Sequence, residues 1–207
     1  MKTTTAQTIL GTALVAATLA LTSCTGGSTP NESPSPSTTA TSQSPSATPT
    51  PTATSTAVAV PETQEQALKD GLAAVRQFET VLAEVTNAKS TDTARFDAVA
   101  SGPALQFAKD FATAATKSTT KYSGTSTVTL DSGYASKLVV GSSTFDFGLV
   151  DLKACVDSSS VVGVRADGSA APKPEHPRVI NQYIAQYSPN TTSWVVTDVK
   201  QDGETAC

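Results

Sequence analysis

The sequence predicts an α+β domain over residues 61–207, with N-terminal helices packed on one face of a curved antiparallel sheet. Three observations lead there. Apolar residues recur at three- and four-residue steps from Ala67 to Val85, and again from Leu105 to Ala115, the stripe of a half-buried helix. After Lys121 the spacing turns to short runs of Val, Thr, Ile and Tyr bounded by turn residues, the pattern of strands. Every helical stretch precedes every strand, so the helices gather on one side of a meander instead of alternating with parallel strands.

Taken in order, Pro61 followed by Glu62, Thr63 and Glu65 opens a helix, because acids suit its positive N-terminal end. The stripe Ala67, Leu68, Leu72, Val75, Phe78, Val81, Leu82 and Val85 carries that helix over 62–87, across Gly71. Thr91-Asp92 starts a short helix over 93–100, which Gly102 stops. Pro103 suits the first turn of a third helix reaching about residue 118, with Leu105, Ala108, Phe111, Ala112 and Ala115 inward. Strand signals follow: Tyr122 to Leu130, a turn at Asp131-Ser132-Gly133, then Leu138 to Val140. Phe145 to Val156 is long enough for a bent strand. Val161 to Arg165 leads to a turn at Asp167-Gly168, and the three prolines between Ala171 and Pro177 mark a loop. Val179 to Tyr187 and Trp194 to Val199 are the last two strands, joined across Pro189-Asn190. Alternation puts Val195 and Val199 on one face of the last strand, and Trp194 and Val196 on the other.

Before the domain stand two other segments. Ile9 to Leu21 is an apolar run behind Lys2, the layout of a secretory signal over residues 1–23. At about 1.5 Å per residue it covers roughly 20 Å, short of the ~30 Å hydrocarbon layer that a membrane-spanning helix must cross. Residues 24–60 hold 10 Thr, 8 Ser and 6 Pro, with Glu32 the only charge. Such a stretch has too little apolar surface to offset its ordering entropy, so a disordered tether is expected. Leu21-Thr22-Ser23-Cys24 resembles the bacterial lipobox. That resemblance implies a mature chain starting at Cys24, whose thiol carries lipid and anchors the protein to the outer face of the cell membrane. It also settles the parity of three cysteines. With Cys24 lipidated, Cys155 and Cys207 remain as a pair, and an oxidising compartment favours a disulfide between them. Neither a zinc-ligand spacing nor a Cys-X-X-Cys redox pair is present in the sequence.

A long first helix, two shorter ones and a bent meander closing on Trp194-Val195-Val196-Thr197-Asp198-Val199 together resemble the NTF2-like, cystatin-related cone fold. The lipobox, the Ser/Thr/Pro tether, Ala154-Cys155-Val156-Asp157 and the terminal cysteine resemble actinobacterial surface lipoproteins carrying such a domain. The fold resemblance implies a hollow between sheet and helices. Tyr183, Tyr187 and Trp194, on adjacent predicted strands, are its candidate lining together with Asp157; ordinary sheet packing is the competing reading of the aromatics.

Charged residues make up 15% of the chain and the net charge is −4. The 14 Lys and Arg form no cluster, which argues against a nucleic-acid partner. No phosphate loop, nucleophile elbow or metal spacing appears, so no cofactor, metal or catalytic residue is assigned. The expected function is non-enzymatic: a membrane-anchored extracytoplasmic domain binding a small apolar ligand or an envelope protein. Two other classes compete with it. One is a hydratase- or isomerase-type enzyme with Asp157 or His176 as base. The other is a structural envelope component presenting a large apolar patch on residues 62–87.

Overall fold

The computed structural model describes residues 59–207, with the side chains of 202–204 left aside. The expected signal segment, Cys24 and all but the last two residues of the tether lie outside the described residues. The domain is α+β: two helices pack on one face of a curved four-stranded antiparallel sheet. The elements in order are α1 (Gln64–Asn87), a 3₁₀ turn (Ala94–Ala98), α2 (Gly102–Lys117), β1 (Lys121–Ser123) and β2 (Thr127–Val140). They continue with β3 (Ser143–Asp157), β4 (Val162–Val164), β5 (Arg178–Ser188) and β6 (Ser193–Ala206). The main sheet runs β2-β3-β5-β6, while β1 and β4 pair separately as a two-stranded sheet.

Helix α1 begins where Thr63 Oγ1 accepts from the Gln66 amide at 3.2 Å. Its inward stripe is the expected one with one exchange. Ala67, Leu72, Val75, Phe78, Val81, Leu82 and Val85 are buried, but Gly71 is buried too and Leu68 only half so. Each fully buried Val, Leu or Phe of this kind contributes about 1.5–3 kcal/mol. Gly71 is where helix meets sheet: a Cβ there would lie 2.4 Å from Val150 Cγ2. At its other end α1 closes in a Schellman arrangement, with Ser90 N–H on the Val85 carbonyl and Lys89 N–H on that of Thr86. Lys89 occupies the left-handed position usually given to glycine, at φ 50°.

The segment after α1 is a 3₁₀ turn, tighter than the helix expected over 93–100. Beyond it, Val196 N–H donates to the Val99 carbonyl at 3.0 Å, and Ser101 N–H to the Val196 carbonyl at 2.9 Å. This short parallel bridge to β6 fixes where α2 starts. Helix α2 turns Ala104, Ala108 and Ala112 to the core at four-residue steps, and these small side chains let it lie close to the sheet. Leu105 is only half-buried and Phe111 is exposed, against expectation. Phe111 instead stacks on Phe107, centroids 5.8 Å apart.

In the sheet, the turn expected at Asp131-Ser132-Gly133 is a bulge inside one continuous strand. The β2–β3 register slips between Leu130 and Ser132, and pairing with uninterrupted β3 overrides the local turn signal. The chain actually reverses at Gly141-Ser142, with Val140 opposite Ser143 and Gly141 at φ 59°. Another register shift, between Ile184 and Ala185 on the β5–β6 ladder, corrects the face assignment in β6. Val199 pairs with the core residue Tyr183 and packs against the core alongside Trp194 and Val196. The predicted strand from Tyr122 to Leu130 is split by Gly124 (φ 91°), where a Cβ would meet the Ser160 carbonyl oxygen at 2.8 Å. Val161 to Arg165 contains β4, which pairs with β1 and stays out of the main sheet.

A disulfide joins Cys155 on β3 to Cys207, with Cα atoms 5.9 Å apart. Cys155 is buried, between Ala154 and Val156 of the core-facing set.

Candidate functional site: a cleft at the end of the helical layer

The C-terminal halves of α1 and α2 stand over the ends of β3 and β5, and the β1–β4 sheet closes one side. A cleft of about 510 Å³ opens between them. Leu82, Ala83, Ala114, Ala115, Val156 and Val179 make its apolar walls, and Phe111 and Tyr122 line it as half-exposed rings. Lys89 and Ser118 also line it, and the Lys89 ammonium donates to the Ser118 carbonyl, linking the ends of the two helices.

Among the polar residues of the lining are half-buried Glu79 and buried Asn181. Between them stands Tyr183, which is fully buried. The Tyr183 hydroxyl donates to Glu79 Oε1 at 2.8 Å and accepts from Asn181 Nδ2 at 3.4 Å. Burial pushes the Glu79 carboxyl above the ordinary carboxylate range, and the Tyr183 hydrogen bond opposes that rise in part. Burial and the neighbouring Glu79 charge hold the Tyr183 phenol protonated, so it is the donor of the pair. Asn181 is 4% exposed, and its Oδ1 has no hydrogen-bond partner among the described residues. Flipping the amide would face Oδ1 toward the phenolic oxygen, whose only proton already goes to Glu79, so the donor side of Asn181 belongs where it is.

The residues proposed from sequence fall elsewhere. Tyr183, Tyr187 and Trp194 are buried at 0%, 3% and 6% exposure and pack as core. Tyr187 meets Trp194 edge-on at 6.1 Å and Phe145 at 5.5 Å, the packing reading of these aromatics. None of the three belongs to the lining, although Tyr183 orders it from behind. Asp157 is also outside the lining. The Ser159 hydroxyl and amide hold its carboxyl below the usual range, with a smaller contribution from Arg178, 3.7 Å away. His176 is exposed in the loop before β5 and does not line the cleft. The two candidate bases therefore sit away from the described cavity. The structural reading does not gain either: among the described residues of 62–87, no large hydrophobic side chain is exposed.

Glu79 and Asn181 were missed, though each left a trace. Glu79 lies four residues after Val75 and three before Leu82, an acid bordering the apolar stripe of α1. Asn181 takes the same alternating face as Tyr183, Ala185 and Tyr187, a polar residue in the core register of β5.

Among the described residues no helix is long and apolar enough to cross a membrane, and no three His, Cys, Asp or Glu are placed to hold a metal ion. No protein-family model matches the chain. No curated protein matches it either. Among solved structures it is similar to the intermembrane space region of the chloroplast protein ARC6. The match has a TM-score of 0.42 and 12% identity, and covers 68% of this chain and 97% of that one.

Proposed function

We propose that this chain is a membrane-anchored extracytoplasmic lipoprotein whose folded domain is a non-enzymatic binding module for a small apolar ligand. The observation that carries the binding part is the cleft: about 510 Å³ of mostly apolar wall, with Glu79 and Asn181 among its polar groups. That division of apolar walls and a few fixed polar groups is how small-molecule sites are usually built. The anchoring part rests on the lipobox-like Leu21-Thr22-Ser23-Cys24. The Cys155–Cys207 disulfide supports an oxidising compartment.

Native mass spectrometry after incubation with an extract of cell envelope tests the binding reading. A small-molecule mass retained by the protein, and lost in an Ala115→Trp variant that fills the cleft, is the expected result. A clean unliganded mass would overturn it.

A further inference from the structure

Around Tyr183, between Glu79 and Asn181, the free hydrogen-bonding capacity is one-sided. Tyr183 has spent its proton on Glu79 and accepts from Asn181. What remains around that pair is acceptor: Asn181 Oδ1, which has no partner among the described residues, and the second oxygen of Glu79, for which no bond is seen there. Glu79 also enters no ion pair among the described residues. A buried acceptor left unmade is costly, and a half-buried carboxylate without a counter-charge is unfavourable to a smaller degree. A ligand that brought only donors and a positive charge would meet both needs at once.

We infer that the cleft takes a small apolar ammonium compound, its cationic head between Glu79 and Asn181 and its hydrocarbon body against Leu82, Ala115, Val156 and Val179. This rests on the binding reading above and adds the head group to it. An ammonium has three donors and no acceptor, the complement of the free groups. A carboxylate head would add a second negative charge and more acceptors beside Glu79. Charge-assisted hydrogen bonds to an ammonium are also stronger than those an uncharged hydroxyl makes. The one cation in the lining, Lys89, donates to the Ser118 carbonyl and forms no ion pair with Glu79 among the described residues. Residues 25–60 contain no lysine or arginine that could supply such a head group.

The test is calorimetric titration of the full chain with three molecules of one shape: 4-phenylbutylammonium, 4-phenylbutanol and 4-phenylbutanoate. The ammonium should bind roughly tenfold or more tighter than the alcohol, the ratio expected from one charge-assisted contact. Glu79→Gln should weaken the ammonium far more than the alcohol and bring the two to similar affinity. Equal or tighter binding of the alcohol or the carboxylate to the unaltered protein would overturn the head-group inference and leave the apolar cleft standing. Failure of all three to bind also overturns it, and the envelope-extract experiment then decides separately whether the cleft binds anything. Because the series is run on the unaltered chain, the answer does not depend on the variant folding.

Discussion

The Tyr183 hydroxyl, fully buried on β5, donates a 2.8 Å hydrogen bond to the carboxylate of Glu79 on α1, 104 residues earlier in the chain. A helix and a strand are thus joined by a polar contact in a mostly apolar layer. Phe would fill the space of Tyr183 without requiring an acid opposite, so the pair is not needed for packing alone. Carboxylates kept in such surroundings are where functional sites tend to be found.

A pH dependence follows. The folded-state pKa of Glu79 is raised above its ordinary 4.5 by burial. Below that ordinary value the group is protonated in both folded and unfolded chains. As pH rises the unfolded chain ionises first, so this residue's contribution to stability falls from about pH 4.5 up through the raised folded value. Glu79→Gln should therefore raise the melting temperature at pH 7 and lose that advantage toward pH 4. Thermal unfolding at the two pH values checks it, and an unchanged difference would refute the assignment.

Gly71 gives a packing prediction. Gly71→Ala should destabilise by about 1–3 kcal/mol through overpacking, less up to ~1 kcal/mol recovered from better helix propensity. The clash is with the tip of Val150, so Val150→Ala in the same molecule should cost less than the sum of the two single changes. Additive losses in urea titrations would show that the helix does not rest on Val150.

The disulfide is expected to stabilise the fold by about 4 kcal/mol in the chain-entropy model, given a separation of 52 residues. Cys207→Ser, or reduction, should lower the urea midpoint accordingly. Free thiols at Cys155 and Cys207 by mass analysis of the unreduced protein would remove the basis for that figure.

Trp194 is the single tryptophan and lies outside the cleft lining. Its emission should follow global unfolding yet stay nearly constant as the cleft is filled by 4-phenylbutylammonium. Strong quenching on binding would move the ligand to the Tyr187–Trp194 region.

For the anchor, Cys24→Ala should release the protein from membranes into the soluble fraction. Retention after that change would refute lipidation.

How far the fold could be read from sequence depended on whether the signal was local. The apolar stripe of α1 needs only the helical repeat, so its inward residues were legible apart from Gly71, whose role depends on Val150, 79 residues away. The long β3 was legible because its run of apolar residues from Phe145 to Val156 is interrupted only by single polar or small residues. Asp131-Ser132-Gly133 misled because turn chemistry is local while the ladder to β3 is not. Val199 changed faces for the same reason, through a register shift that no period-2 count contains. At the site, aromatic residues drew attention by their size, and size sent them to the core. Glu79 and Asn181 are ordinary residue types whose meaning comes from where the stripe and the alternation place them.

The three alanines of α2 bear on more than close packing. Ala104, Ala108 and Ala112 face the sheet, while Phe111, Ala114 and Ala115 of the same helix line the cleft. The gap between helix and sheet is thus set by methyl groups that a cleft-bound molecule never touches. One larger side chain in that row would lift the helix like a shim and widen the bore. On the proposed binding reading, such a change would alter the size of guest while leaving Glu79 and Asn181 untouched.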